Sequence, residues 1–599
     1  MKTLLRAFIF FAVIQTTNAQ TFNPALATLL QDSLNYYVAA VTNVKGMSAS
    51  VYLPGQGQWK GTAGVSYAGN PITTDMKFCI ASNTKLFVAS TMLILQENNI
   101  LDLDDAISNY LPTYTNISPS ITIRQLLNHT SGVSDPLFSS PWMDTINNNS
   151  TRLFTSTEVL GWVGAPVYAP GAGWNYSNIN YILAGMVAQS ATGYSISQLI
   201  RDSILTPLNM DSTFYDVQEA SVGTVAHRWW NTIDYNDTST VGISSAGGCA
   251  GSIYSTAGEM AHWYNALFSG QVLNPLSMAE LSNFVNTPSS TYDYGLGLAR
   301  ETTVGKTYWG HGGSIWGYKS KMIYDTCMKA VVCGLVNSHP AGMDGITYIL
   351  YRVLLNHLPA CPAAITGLTT VCQGQNSVTY AVPAVLHAST YIWTLPSGAT
   401  GTSTTTTITV NYGLSAVSGT ITVKGLNSYG WGGEASLDVT LNPKPTIPVV
   451  TQNGNTVQSS AAAGNQWYNQ NGIINGATAQ NYTVTADGDY YVVVTLLNCS
   501  SDNSNTQSVV ITGIETVENT ASIKVYPNPF SQDVIIESPS PETTTAAIGY
   551  EISNSFGQVV IKGAVNRKVL ITTSTLSPGI YFVKLSTATQ TEYRKILKQ

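Results

Sequence analysis

Charged side chains are scarce in this 599-residue chain. Lysine, arginine, aspartate and glutamate together make up 10% of it, against about 25% in an average soluble protein. The formal net charge is -7, so the chain lacks the basic excess that binds nucleic acid or anionic lipid. Beyond the N-terminal stretch, no segment reaches the roughly 20 apolar residues of a membrane-spanning helix. The sequence therefore argues against a protein that binds nucleic acid or anionic lipid, and against one that spans a membrane by a helix. Its uncharged polar residues favour many-stranded domains outside the cell.

Cysteine is also rare. The seven cysteines are an odd number, so at least one has no partner within the chain. There is no CxxC motif and no Cys/His cluster with zinc spacing, so we expect no metal site. Cys79 and Cys249 lie in hydrophobic, strand-like contexts typical of buried thiols. Cys361 and Cys372 flank the start of a later module, and either pair with each other there or remain unpaired.

The first residues have the order of a secretory signal peptide. Lys2 and Arg6 precede an apolar stretch from Ala7 to Ile14, and small and polar residues follow up to Ala19. The apolar stretch is much shorter than a spanning helix. An ordinary core helix is the less favoured alternative. We predict that residues 1–19 are a signal peptide cleaved after Ala19.

The remaining length suits about four domains at roughly 150 residues each. Residues 20–359 mix helical periodicity ("ALATLLQDSLNYYVAAV") with hairpin-like alternation ("MSASVYLPGQGQWKGTAGVSY"). Terminal helices beside an antiparallel sheet, with a helical middle, indicate an α+β domain. From residue 360 the helical period is absent. We predict three all-β sandwich modules at 360–443, 444–513 and 514–599, with Trp393 and Trp467 facing inward in the first two.

The three later modules carry recognisable sequence features. The first resembles the PKD-like sandwiches of secreted bacterial proteins. In the second, "ADGDYYVVV" resembles the tyrosine-corner region of immunoglobulin-like domains, with Val492 where a disulfide cysteine would stand. The third contains "VYPNP", "SNSFGQVV", "LSPGIYFVKL" and a basic "RKILKQ" end. It resembles the C-terminal sorting domain of the type IX secretion pathway, with an ordinary sandwich as the alternative.

The stretch "FCIASNTKLF" places Ser82 three residues before Lys85. Residues three apart are neighbours on a helix surface, so a helix starting near Ser82 brings the two side chains together. A serine hydroxyl is a weak nucleophile unless a base takes its proton. Lysine can act as this base only if its pKa is lowered. Otherwise it can assist as a cation that lowers the pKa of another group. Taken alone, this pair also fits the polar start of a buried helix.

Two further motifs follow in the chain. "GWNYSNINYILAGMV" contains Tyr176 and Asn178 ahead of a helical segment, and "YWGHGGSIWGYKSKM" contains His311 to Ser314 just ahead of a strand. The order SxxK, YxN, HxG resembles the serine hydrolases related to class C β-lactamases and D-alanyl-D-alanine carboxypeptidases. Flanking stretches such as "ITIRQLLNHTSGV", "APGAGWNYSNINYILAGMVAQSATG" and "AGGCAGSIYSTAGEMAHW" extend the resemblance over roughly residues 30–356.

This resemblance implies a role for each residue. Ser82 would attack the carbonyl carbon and become acylated, and Tyr176, kept anionic or strongly hydrogen-bonded by Lys85, would take the Ser82 proton. Asn178 would orient Lys85 and contact the substrate amide. The backbone N–H groups of Ser82 and Ser314 would form the oxyanion hole. In the HxG segment, Gly312 and Gly313 would let substrate approach the strand edge. No metal or organic cofactor is implied.

His311 departs from the β-lactamase pattern, in which a lysine usually meets the substrate carboxylate. Its reference pKa of about 6.5 leaves it mostly neutral at pH 7, so strong β-lactamase activity is not expected. We interpret His129 in "LLNHTSG" as a structural residue that holds a turn. The stretches "SDPLFSSPWMDTINNNSTRLF" and "HRWWNTIDYNDTSTVG" are expected to border the pocket, where Trp229 and Trp230 form either an aromatic wall or ordinary packing.

The sequence thus predicts a β-lactamase/transpeptidase-like α+β catalytic domain, with an antiparallel sheet and a helical subdomain, followed by three all-β modules. Its predicted function is serine hydrolysis through an acyl-enzyme. The substrate would be a small amide, peptide or ester, in a D,D-peptidase-like, esterase-like or weak β-lactamase reaction. The sorting domain implies type IX secretion machinery as a partner and a secreted or cell-surface location after periplasmic passage. The alternative is an inactive surface-binding protein whose sandwiches carry the function.

Overall fold

The computed structural model describes residues 21–137, 139–303, 305–339, 343–511, 523–538, 547–586 and 591–599. The predicted signal peptide lies outside these residues. The chain divides into two compact units, one reaching to residue 447 together with 494–502, and the other comprising 448–493 with 503–599. Across the described residues, no helix combines the length and apolar character needed to cross a membrane.

All described α-helices belong to the first unit. They are α1 Pro24–Ala40, α2 Thr84–Glu97, α3 Ile123–Leu127, α4 Ser140–Asn147, α5 Ser156–Leu160, α6 Asn178–Thr192, α7 Ile196–Ile200, α8 Val241–Gly247, α9 Ala257–Phe268, α10 Pro275–Leu281 and α11 Met343–His357. Short 3-10 turns lie at Ala81–Asn83, Ile107–Asn109 and Gly248–Ala250, and one π turn lies at Arg201–Leu205.

Fifteen described strands belong to the predicted catalytic domain. They are β1 Gly46–Leu53, β2 Gly57–Tyr67, β3 Asn70–Pro71, β4 Phe78–Cys79, β5 Phe214–Tyr215, β6 Trp229–Trp230, β7 Ile233–Asp234, β8 Ile253–Ser255, β9 Val285–Asn286, β10 Tyr292–Tyr294, β11 Ala299–Thr303, β12 Lys306–Ile315, β13 Tyr318–Asp325, β14 Ala330–Val336 and β15 Ser338–His339. Nine of them form one antiparallel sheet in the order β3-β2-β1-β14-β13-β12-β11-β10-β9.

This sheet is buried on both faces. Val51 and Val332 point to a core shared with α1 and α11, whereas Met322 and Leu335 point to a core shared with α2 and α9. Helix α2 is apolar nearly all round and is buried along most of its length, as its sequence predicts. The antiparallel sheet, its flanking helices and the helical subdomain confirm the predicted α+β class. They also place the start of α2 against strand β12.

The predicted PKD-like module has two sheets, β16-β22-β21-β18 and β17-β20-β19. Its strands are β16 Thr370–Cys372, β17 Val378–Ala381, β18 Thr390–Thr394, β19 Ala399–Thr400, β20 Thr407–Tyr412, β21 Gly419–Asn427 and β22 Gly430–Asn442. Trp393 packs against the core of this module, as predicted, and is partly buried. Tyr380 and Tyr412 are fully buried in the same core, and their hydroxyls lie 2.8 Å apart.

Cys361 and Cys372, whose pairing the sequence left open, are not bonded to each other. Cys361 is bonded to Cys327 in the turn after β13, and Cys372 is bonded to Cys499. Strand β16 pairs in parallel with the end of β22 and so carries Cys372 away from the domain junction where Cys361 lies. Cys79 and Cys249 are buried free thiols, as predicted.

The next module contains β23 Val450–Asn453, β24 Thr456–Ser459, β25 Asn465–Asn469, β26 Gly472–Ile473, β27 Asn481–Thr483, β28 Gly488–Leu496, β29 Cys499–Ser500 and β30 Gln507–Val509. Trp467 is fully buried, as predicted, and donates from Nε1 to the Ala479 carbonyl at 2.9 Å. Tyr490 donates to the Ala486 carbonyl at 2.8 Å, which is the contact that defines a tyrosine corner.

The last module forms two sheets, β31-β32-β35 and β34-β33-β36-β37. Its strands are β31 Lys524–Tyr526, β32 Asp533–Glu537, β33 Ile548–Asn554, β34 Val559–Val565, β35 Lys568–Thr572, β36 Gly579–Ser586 and β37 Thr591–Lys598. Alternate residues of β36, including Tyr581, Val583 and Leu585, face a small apolar core. This is the all-β module that the sequence predicts.

Candidate active site

Ser82 lies in the 3-10 turn between β4 and α2. The preceding residue, Ala81, has a φ of 48°, in the left-handed region that side chains rarely adopt. Backbone strain of this kind is concentrated at active sites. Here the left-handed residue redirects the chain from strand to helix, and Ser82 lines a cavity at the turn.

Lys85 lies one helical turn beyond Ser82 and is fully buried. Its Nζ is 3.1 Å from Ser82 Oγ, 2.7 Å from Asn178 Oδ1 and 2.8 Å from the Ala250 carbonyl oxygen. Desolvation lowers the pKa of Lys85 to about 7, although the nearby Asp135 carboxylate acts in the opposite direction. This shift makes the neutral amine far more accessible at neutral pH than it is in an ordinary lysine.

The three partners of Lys85 can all accept hydrogen bonds from its ammonium group, and they also accommodate the neutral amine. The Asn178 Oδ1 atom and the Ala250 carbonyl oxygen can only accept hydrogen bonds, so they take the two N–H groups of an –NH₂. The nitrogen lone pair then faces the Ser82 hydroxyl, which is the one partner able to donate. This arrangement is suited to transfer of the Ser82 proton to Lys85.

Asn178 is held by a residue that the motifs did not single out. Both its backbone N–H and its side-chain Nδ2 donate to Asp135 Oδ2, at 3.0 and 2.8 Å. Asn178 is the first residue of α6, so the carboxylate satisfies a free N–H at the positive end of that helix. Asp135 thereby turns the Asn178 amide oxygen toward Lys85. A lone aspartate in "SGVSDPL" matches no motif, and only the fold brings it to the site.

Tyr176 lies beside Ser82 and Lys85. The Lys85 Nζ atom is 4.9 Å from the centroid of the Tyr176 ring and so faces the ring rather than forming an ion pair. Burial raises the pKa of Tyr176 above its usual value of 10, and a hydrogen bond with Ser82 offsets this only in part. Tyr176 is therefore a protonated phenol at neutral pH. The expectation that Lys85 keeps Tyr176 anionic or strongly hydrogen-bonded stays a prediction, and the direction of the pKa shifts disfavours the anionic form, because burial disfavours charge on both groups.

His129 organises the segment that carries Tyr176. Its Nδ1 atom is 3.2 Å from the Ser177 backbone nitrogen and 3.0 Å from Asn180 Nδ2, and both of these nitrogens donate. Its carbonyl oxygen accepts from the Asn175 N–H at 3.1 Å. The His129 and Tyr176 ring centroids are 4.3 Å apart. His129 is buried and its pKa is lowered, mainly by desolvation, so this neutral ring has the structural role that the sequence predicts.

His311 has both ring nitrogens occupied by protein groups. Nδ1 is 2.6 Å from the Gly312 carbonyl oxygen, and Nε2 is 2.8 Å from the Tyr294 hydroxyl. A carbonyl only accepts, so Nδ1 carries the proton and Nε2 accepts from Tyr294. Desolvation, aided by the nearby Lys85 charge, lowers the pKa of His311 to about 3. His311 is thus a neutral ring that orients groups, and it supplies no cation for a substrate carboxylate.

The HxG segment lies at a partly open strand edge. Strand β11 pairs with β12 only as far as Gly310, and among the described strands the stretch from His311 to Ile315 pairs with β13 alone. A Cβ on Gly313 would lie 2.2 Å from the Ile80 carbonyl oxygen. Glycine at 313 therefore allows β12 to approach the Ser82 turn, and the expected approach of substrate at Gly312 and Gly313 stays a prediction. Ser314 lines the same cavity as Ser82.

The cavity at Ser82 has a volume of about 240 Å³. Its walls are mostly apolar, and its polar lining residues include Ser82, Asn178, Ser314 and His339. The two stretches expected to border the pocket do so, through Met143 and Trp230 among others. Trp229 instead packs away from the cavity and donates from Nε1 to the Ser66 carbonyl at 2.7 Å.

The family model described as Beta-lactamase matches residues 34–355. This match covers more than half of the chain, and the chain belongs to that family. A PKD-like domain model matches residues 358–439, and a secretion system C-terminal sorting domain model matches residues 524–599. The sorting domain indicates a secreted or cell-surface protein.

Individual curated proteins are similar to parts of this chain. The chain is 37% identical over 144 residues to Protein flp of Staphylococcus aureus (strain MW2), and this match covers 23% of this chain and 28% of that protein. It is 25% identical over 272 residues to Penicillin-binding protein 4* of Bacillus subtilis (strain 168), covering 42% and 59%. The chain therefore spans between about a quarter and three fifths of the length of these curated relatives.

A solved structure covers the catalytic domain more completely. D-amino acid amidase from Ochrobactrum anthropi SV3, complexed with L-phenylalanine amide, is 28% identical with a TM-score of 0.50. The similarity covers 55% of this chain and 99% of that one. The whole of that amidase structure is thus represented in the present fold.

Proposed function

We propose that this protein is an exported serine hydrolase that cleaves uncharged amides, peptides or esters through an acyl-enzyme on Ser82. The observation that carries the proposal is the buried Lys85 amine, which lies 3.1 Å from Ser82 Oγ and has two obligate acceptors on its other sides. Family membership and the similarity to an amidase support the same reaction class. The sandwiches would act as spacers or weak binding modules.

In the first half of the reaction, neutral Lys85 takes the Ser82 proton while Ser82 Oγ bonds to the carbonyl carbon. The N–H groups of Ser82 and Ser314 would stabilise the oxyanion. The protonated phenol of Tyr176 then donates its proton to the leaving nitrogen or oxygen as the C–N or C–O bond breaks. Lys85 returns its proton to Tyr176, which resets both groups.

In the second half, water replaces the leaving group. Neutral Lys85 takes a proton from the water, directly or through Tyr176, and the resulting hydroxide attacks the acyl carbon. Collapse of the intermediate breaks the bond to Ser82 Oγ, which recovers its proton. The acid product and the free enzyme result, and no other reactant is consumed.

The charge of the site supports a preference for substrates without a free carboxylate. His311 is neutral and occupied. Among the described residues that line the cavity at Ser82, none is lysine or arginine. A D-Ala-D-Ala peptide or a β-lactam carries a carboxylate, and no lysine or arginine among the described lining residues could pair with it. A neutral amide such as a D-amino acid amide, the substrate class that the Ochrobactrum anthropi enzyme is named for, avoids this desolvation cost.

The test combines active-site labelling with turnover. A fluorescent phosphonate should label the wild type and not Ser82→Ala, which should also lose turnover. Ser90→Ala is the matched control, because Ser90 is buried in the same helix and its hydroxyl has no hydrogen-bond partner in the described structure. D-phenylalanine amide and p-nitrophenyl acetate should be turned over faster than nitrocefin or a D-Ala-D-Ala peptide. A wild type that neither labels nor hydrolyses any substrate would favour the surface-binding alternative.

A further inference from the structure

A second cavity of about 510 Å³ adjoins the cavity at Ser82. The two share the lining residues Met143, Trp230 and Trp316 and so lie next to each other. The second cavity is also lined by Tyr235, Thr238 and Asn147. A single amino acid amide bound at Ser82 would leave this second cavity empty.

The aromatic wall between the two cavities is built into the fold. Trp230 stacks on His339 with ring centroids 4.0 Å apart and an interplanar angle of 20°. The buried Arg228 guanidinium lies 5.6 Å from the centroid of the Trp316 ring. Desolvation lowers the pKa of His339, so at neutral pH the ring behind Trp230 carries no charge. Large aromatic side chains in such fixed positions offer flat surfaces for stacking.

Arg228 also fixes the loop that closes the second cavity. Its Nε atom donates to the Tyr235 carbonyl at 3.1 Å, and its guanidinium donates to the Thr238 carbonyl as well. These contacts use only the loop backbone, so the Tyr235 and Thr238 side chains are available to the cavity. The loop is therefore shaped before any ligand enters, and preorganisation of this kind lowers the entropic cost of binding.

We infer that this second cavity is a subsite for an additional aromatic or large apolar group, and that the preferred substrate is an extended, uncharged one rather than a single amino acid amide. The inference rests on the proposed function. The lining combines three aromatic rings with the Asn147 amide and the Thr238 hydroxyl, and no described lining residue is Asp, Glu, Lys or Arg. An N-blocked aromatic amino acid amide or an aromatic anilide has this chemistry.

The first experiment measures kcat/KM for D-phenylalanine amide, its N-benzyloxycarbonyl derivative and D-phenylalanine p-nitroanilide. At least one extended compound should have a higher kcat/KM than the plain amide, mainly through a lower KM. Tyr235 and Asn147 line the second cavity and not the one at Ser82. Tyr235→Ala should reduce the extended-to-plain ratio of kcat/KM by about tenfold, the size of one aromatic contact, and Asn147→Ala should reduce it by roughly a few-fold, the size of one hydrogen bond. Tyr194→Ala is the matched control, because Tyr194 is exposed and lines neither cavity.

The second experiment separates this inference from the proposed function. Ser82→Ala is titrated with the same three compounds, and tryptophan fluorescence reports binding next to Trp230 and Trp316. If the wild type turns over nothing, the proposed function fails, but tighter binding of an extended compound that Tyr235→Ala abolishes still supports the subsite. The inference is overturned if neither extension improves kcat/KM or affinity, or if the gain survives both cavity substitutions.

Discussion

The protonation state of Lys85 predicts the pH dependence of the reaction. Only the neutral amine can take the Ser82 proton, and burial lowers the pKa of Lys85 to about 7. The neutral fraction is then about 10% at pH 6 and about 1% at pH 5, so kcat/KM should fall about tenfold per pH unit below 7 and level off above 8. The measurement is kcat/KM for p-nitrophenyl acetate from pH 5 to 9, which reports the free enzyme.

Asp135 offers a way to shift this pH profile. Its carboxylate raises the pKa of Lys85 against the larger effect of desolvation. Asp135→Asn removes the charge but keeps a side-chain oxygen for the Asn178 N–H groups, so the acidic limb should move to lower pH. Asp144→Asn on the exposed surface of α4 is the control and should leave the limb in place.

Two results would refute this assignment of the base. A limb that rises only above pH 9 would point to the Tyr176 phenolate or to a lysine with an ordinary pKa. A flat profile from pH 5 to 8 would show that no group titrating near neutrality takes the Ser82 proton. A shift to higher pH in Asp135→Asn would mean that the carboxylate acts through position rather than charge.

Three further predictions concern the leaving group, the disulfides and export. Tyr176→Phe should cost about 10²–10⁴-fold on an amide, whose leaving nitrogen needs a proton, but far less on a p-nitrophenyl ester, whereas Lys85→Ala should impair both; equal losses in Tyr176→Phe would argue against proton donation. Replacing Cys327 and Cys361 with serine opens a cross-link with a sequence separation of 34 and should lower the free energy of unfolding by about 4 kcal/mol in thermal or denaturant melts; unchanged melting would contradict this. Deleting residues 521–599 should leave active enzyme in the periplasm, and undiminished activity in the medium would contradict the sorting role.

Local pattern predicted much of the fold. The apolar spacing of α1, the alternation of β1 and β2 and the apolar character of α2 each report burial directly, and the structure agrees with them. The sequence left the pairing of Cys361 with Cys372 open. The structure joins Cys361 to Cys327 and Cys372 to Cys499, and strand β16, which carries Cys372, pairs with the distant β22. The sequence also predicts that Trp393 and Trp467 face inward, and both side chains contact the cores of their modules.

By itself, the sequence predicted the order of the modules, the α+β class and the candidate residues Ser82, Lys85, Tyr176 and His311 as a set, because motif order and periodicity are properties of the chain. Only the tertiary structure decided which of them carry charge. Lys85 is buried by distant segments, among them Ala250, whose carbonyl oxygen contacts Nζ from 165 residues along the chain, and this burial lowers the pKa of Lys85. His311 is neutral mainly because burial lowers its pKa. Solvent exclusion is a property of the assembled core, and no spacing in the sequence encodes it.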